Sequence, residues 1–117
     1  MHTYMLILHE TPAEYASMSP AQLQDIIQSH QRWAADLAER GLLAGGEKLV
    51  DEGGRHLRVK GAEVVASDGP YAEAHDVVGG YYLIKAADDQ EAERVARECP
   101  HLFGSGWVEV RKIDVLD

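Results

Sequence analysis

The chain opens on a compact apolar run, HTYMLILH at residues 2 to 9, rich in strand-forming side chains and followed by the turn-forming pair Thr11-Pro12. It predicts a first strand. Ser19-Pro20-Ala21-Gln22 then combines an N-cap serine, a proline at the first helical position and a glutamine three residues after the cap, which together satisfy backbone donors that a helix start leaves unpaired. From there Leu23, Ile26, Ile27, His30, Trp33, Ala34 and Leu37 recur at three- and four-residue spacing, with polar residues between them. This is an amphipathic helix ending at Gly41, a natural C-cap.

Leu42 to Val50 reads as a strand interrupted by Gly45-Gly46, where a bulge or a close backbone approach is expected. Asp51 to Gly54 is a turn. Arg55 to Lys60 alternates charged and apolar residues like a half-exposed hairpin strand, which Glu63 to Ser67 can pair with. Val77 to Ala86 (VVGGYYLIKA) is the most strand-like segment and belongs in the centre of a sheet. Asp88-Asp89-Gln90-Glu91 repeats the capping logic, and Ala92, Val95, Ala96 and Cys99 form a shorter stripe that Pro100 ends. Trp107 to Val115 is a final alternating strand.

Two β-α-β halves with a hairpin inserted between them predict an α+β, ferredoxin-like sandwich: an antiparallel sheet with both helices on one face, as a single domain over residues 1–117. The other face then needs a cover. In the last strand Val108 and Val110 alternate with Trp107, Glu109 and Arg111, so the aliphatic side suits the helices and the mixed side suits a second subunit or a pocket.

Composition narrows the function classes. At 117 residues and 45% hydrophobic the chain is globular, with a folded surface of roughly 6,300 Å² expected for a compact monomer. Eleven Lys and Arg against 20 Asp and Glu leave a net charge of −9, which repels phosphate backbones and argues against nucleic-acid binding. The lone Cys99 has no internal disulfide partner, which suits a reducing cytoplasm. The aliphatic run Met5 to Leu8 is too short for a signal or a membrane span, so no membrane association is expected.

His30 is the sharpest candidate for chemistry, because it sits on the apolar stripe of the first helix, where an imidazole oriented by a carboxylate exchanges protons near neutral pH. A core or interface histidine satisfied by one hydrogen bond fits the same position. In the DGPYAE segment, Asp68 caps its own turn, Gly69 allows positive φ, Pro70 fixes the next φ and Tyr71 anchors the loop. Besides that structural role, Asp68 is the candidate to orient His30, and Glu73 and Asp76 are candidates to bind a polar substrate. Arg111 either joins an ion pair with its surroundings or presents a guanidinium to an anionic ligand. His101, beyond the second helix, lines a cleft or closes the helix end. The six histidines show no metal-ligand spacing, and Gly79-Gly80 lacks the pattern of a dinucleotide site, so no metal and no cofactor are expected. Cys99 reads as a buried small residue and not as a nucleophile.

DGPYAEAHDVVGGYYLIKA (68–86) resembles the DGPF-type branch of the YciI-like, or YCII-related, family, as do TYMLILH, Trp33 with GLLAGG, and the ending CPHLFGSGWVEVRKI. His75 and Asp76 depart from that branch, which usually has Lys and Glu there. The resemblance implies a homodimeric α+β barrel, with two sheets facing one another around a cleft. It also implies three functional outcomes. One is a small-molecule enzyme with a His/Asp acid–base pair, as proposed for some members, of which at least one removes chloride from an aromatic substrate. Another is a ligand-binding or regulatory module working with an extracytoplasmic-function sigma factor. The third is a structural dimer with a closed cleft.

Overall fold

A computed structural model describes residues 1–11, 16–50, 54–68, 77–104 and 106–116, with the Asp68 side chain outside them. The elements run β1 (His2–Glu10), α1 (Pro20–Glu39), β2 (Leu43–Lys48), β3 (Arg55–Lys60), β4 (Glu63–Asp68), β5 (Val77–Ala86), α2 (Asp89–Ala96), a 3₁₀ turn (Pro100–Phe103) and β6 (Trp107–Lys112). Four strands form one sheet in the order β2-β5-β1-β6, every neighbouring pair antiparallel. β3 and β4 pair as a separate hairpin. With the hairpin set aside, this is the ferredoxin-like α+β order expected of two β-α-β halves.

The local signals act as their chemistry requires. Ser19 Oγ accepts from the Gln22 amide at 3.1 Å and Gln22 Oε1 accepts from the Ser19 amide at 2.8 Å, a reciprocal box with Pro20 in the first turn. At the other end Gly41 takes φ +73° and the Leu42 amide reaches back to the Leu37 carbonyl at 2.9 Å. The predicted irregularity in β2 is a register shift between Leu43 and Gly45.

Two element ends and the exposure of one strand differ most from expectation. α2 stops at Ala96, short of Cys99, because a residue before proline is driven out of the helical region, and Cys99 is extended at φ −63°, ψ 126°. β6 stops at Lys112, opposite Tyr4; one further bond, Ile113 N–H to the Thr3 carbonyl, ends the pairing because β1 has almost run out. The β3 strand is exposed along its whole length, not half-exposed.

The core lies on one sheet face. Tyr4, Leu6, Leu8, Tyr82, Ile84 and Ala86 meet Trp33 and Leu37 of α1, Ala92, Val95 and Ala96 of α2, and Cys99. The alternate positions, Met5, Ile7, Tyr81 and Leu83, belong to the opposite face and lie outside that core. A bulge in the β1–β5 ladder, where Leu8 pairs Gly80 and His9 pairs Val78, interrupts the ladder at the end nearest the site.

Candidate functional site

Trp33 builds the site from the core outward. Its indole meets Tyr82 edge-on at 4.9 Å and 82°, and its Nε1–H donates to Glu98 Oε1 at 3.3 Å. Glu98 is held in turn by Arg40 at 2.8 Å, and Arg40 reaches Asp36 at 3.0 Å. The indole is therefore fixed at both ends, and it fixes the Tyr82 ring. Gly46 of β2 lies opposite Tyr82; a Cβ there would come within 2.9 Å of the Tyr81 carbonyl oxygen and 3.2 Å of Tyr82 Cδ1, so a side chain at this position would crowd the phenol.

The Tyr82 hydroxyl meets His30 Nδ1 at 2.6 Å, with the two rings nearly parallel. Burial of the imidazole pushes its pKa below the usual 6.5, and the neighbouring His101 ring, 6.2 Å away, adds to that shift. Burial also pushes the Tyr82 phenol well above 10, so both partners are neutral at physiological pH. His101 Nε2 stands 2.6 Å from the His9 carbonyl, which only accepts, so Nε2 carries the hydrogen there. Gly106 makes this bond fit: a Cβ at 106 would collide with both His101 Nε2 and the His9 oxygen.

His30 and His101 border an open cleft of about 420 Å³ between the first half of α1 and the 3₁₀ turn. Met18, Ile26, Pro100 and Phe103 give it apolar walls; Gln22, Asp25, Ser29, His30 and His101 give it polar ones. Nδ1 of His30 is occupied by Tyr82, which leaves Nε2 for a guest. A shallower hollow beside His2, Tyr4, Asp89 and Lys112 has its phenol already spent: Tyr4 donates to Asp89 at 2.7 Å, a bond that raises its pKa to about 12.

Of the residues singled out in the sequence, His30 and His101 come together. Arg111 does not join them. It lies on the opposite sheet face, 3.9 Å from Glu109, whose other oxygen meets His9 Nε2 at 2.8 Å while the His9 ring stacks on Trp107. Glu73 and Asp76 lie outside the described residues, as does the Asp68 side chain; the Asp68 backbone ends the β3–β4 hairpin, opposite Arg55. Cys99 is fully buried and its thiol is pushed up to about 11 by that burial, which keeps it protonated. Among the described residues no group of three His, Cys, Asp or Glu side chains is arranged to hold a metal, and no helix is long and apolar enough to cross a membrane.

Sequence reasoning missed Tyr82. A signal was present: Tyr82 shares the face of Ile84 in VVGGYYLIKA, and a tyrosine buried there needs a partner for its hydroxyl, which His30 on the facing helix supplies.

A ferredoxin-like sandwich with a histidine–tyrosine pair at the edge of an open cleft defines a small α+β domain. The profile of the YCII-related domain matches residues 2–116, and the chain belongs to that family. No curated protein matches it.

Proposed function

We propose that the protein is a small-molecule enzyme of the proton-transfer kind, carrying out an elimination or hydrolysis in the α1 cleft with His30 as general acid–base. The observation that carries this reading is the 2.6 Å contact between His30 Nδ1 and the Tyr82 hydroxyl beside an open cleft. With the hydrogen on Nδ1 and donated to Tyr82, Nε2 offers a lone pair to the cleft and acts as a base; the imidazolium then formed keeps that same bond. With the phenol donating to Nδ1, Nε2–H faces the guest and acts as an acid or an electrophilic donor. In this reading Tyr82 takes the orienting role that the sequence suggested for Asp68.

The same proposal includes a homodimer, formed through the sheet face that carries Met5, Ile7, Tyr81 and Leu83. Met5, Ile7, Tyr81 and Leu83 are half-buried and stand outside the helix-side core, an apolar stripe that a second copy of the chain would cover. Arg111, His9 and Trp107 belong to this face, and the His30 cleft to the other.

The test is His30→Ala compared with the unaltered protein on any substrate the latter turns over. Loss of about 10²- to 10⁴-fold in kcat/KM is expected of a removed general acid–base. A folded His30→Ala protein with full turnover sinks the assignment.

A further inference from the structure

We infer that the His30 cleft selects neutral or positively charged molecules with an apolar body, an ammonium group facing Asp25, and turns away carboxylates and phosphates. This deepens the reading of the cleft as a substrate site and rests on it.

The argument starts from what the walls contain. Gln22, Asp25, Ser29 and His30 follow one another along one side of α1 at spacings of three, four and one, which sets their side chains into the same opening. One of them, Asp25, is a carboxylate. No Lys or Arg lines the cleft. The segments outside the described residues contain neither Lys nor Arg in their sequence, so all 11 cations of the chain are accounted for elsewhere. The nearest along α1, Arg32, is exposed and reaches the Ser29 hydroxyl at 3.4 Å without forming part of the walls.

Anion sites are built from guanidinium forks, ammonium groups or unpaired amides at helix starts. Among the described residues none of these lines the cleft. At the α1 start the Ser19 and Gln22 amides are taken up by their own box and the Leu23 amide by the Ser19 carbonyl. The two imidazoles do not substitute for a fixed cation. His30 is held neutral by burial, and His101 has its Nε2–H committed to the His9 carbonyl. A carboxylate guest would therefore meet Asp25 and a chain of net charge −9, and among the described residues the cation nearest along α1, Arg32, stays outside the walls with its guanidinium on the Ser29 hydroxyl. An ammonium guest gains from both, and its apolar body covers Ile26, Pro100 and Phe103.

Asp25 is exposed, so the gain is that of a screened pair, up to about 1 kcal/mol or roughly fivefold in affinity, with a similar factor for the repulsion of an anion. The experiment uses three probes of matched size: benzylammonium, benzyl alcohol and phenylacetate. Each is titrated at low salt and near-neutral pH into the intact protein and into Asp25→Asn, while the His30 and His101 ring signals are followed by NMR. The expected order is benzylammonium tightest and phenylacetate weakest, the extremes separated by roughly fivefold, with the separation falling to about twofold or less in Asp25→Asn. Phenylacetate binding as tightly as benzylammonium overturns the inference, and so does an ammonium preference untouched by Asp25→Asn. In both of those cases the ring signals still move, so the cleft stands as a binding site and only its charge selectivity is refuted. If none of the three probes moves either ring, the substrate site itself is refuted and the inference with it.

Discussion

At the scale of single residues, the decisive feature is how few groups hold His30 in place and how little freedom they leave it. Because burial lowers its pKa in the folded protein, the unfolded chain binds the extra proton first as pH falls below 6.5. Stability is therefore complete above pH 6.5 and declines between that value and the lower folded one, and His30→Gln should remove this slope from urea unfolding measured across the range. If His30 is the proposed base, the same direction sets its pH profile: kcat/KM should hold near neutrality and fall only on an acid limb placed below 6.5. Gly106→Ala gives a second residue-scale test. The added methyl meets both ends of the His101–His9 bond, so a loss of about 1–3 kcal/mol is expected in denaturant unfolding, the cost of leaving a buried polar pair unmade. At this scale the sequence was half legible. His30 stood out because a titratable ring on an apolar stripe is visible in one dimension. Tyr82 did not, since its role depends on β5 lying under α1, a contact across 52 positions of chain.

Among the elements, the junction of α1 with the segment after α2 carries the most specific chemistry. Glu98 accepts from both Arg40 and Trp33, and the guanidinium holds its carboxyl below the usual range. Glu98→Gln should then cost about 0.5–1 kcal/mol near neutral pH, a small figure because the pair is partly open to water, and the difference should vanish as pH falls through the lowered Glu98 value. Thermal unfolding of the two proteins between pH 7 and pH 3 checks it. Most elements could be read beforehand, with caps at Ser19 and Asp88 and punctuation at Gly41 and Pro100 doing the work. The ends that slipped, at Ala96 and Lys112, were set by a proline's effect on its neighbour and by the length of the strand next door. The second of these has no trace in the local sequence.

For the whole molecule, the fold class followed from element order, whereas the side of the sheet that carries the candidate site did not. Alternation in β6 separates two faces without saying which one His30 will address, and the structure puts His30 and Arg111 on opposite sides. The dimer proposal turns on the face that holds Leu83 opposite Met5. Leu83→Glu should leave the helix-side core untouched and yield a monomer in sedimentation equilibrium, while the unaltered chain sediments as a dimer; a monomer from both would refute the proposed interface. The hairpin adds a different consequence. Leu57, Val59, Val64 and Ala66 share one side of it, the first three 67%, 72% and 68% exposed, and two strands alone are only marginally stable in water. Both of its rims carry backbone groups that, among the described residues, meet no third strand. Unpaired rims of this kind are templates on which further strands can add, and the Lys60 and Glu63 charges at the hairpin tip are the sort of gatekeepers that oppose stacking of many copies.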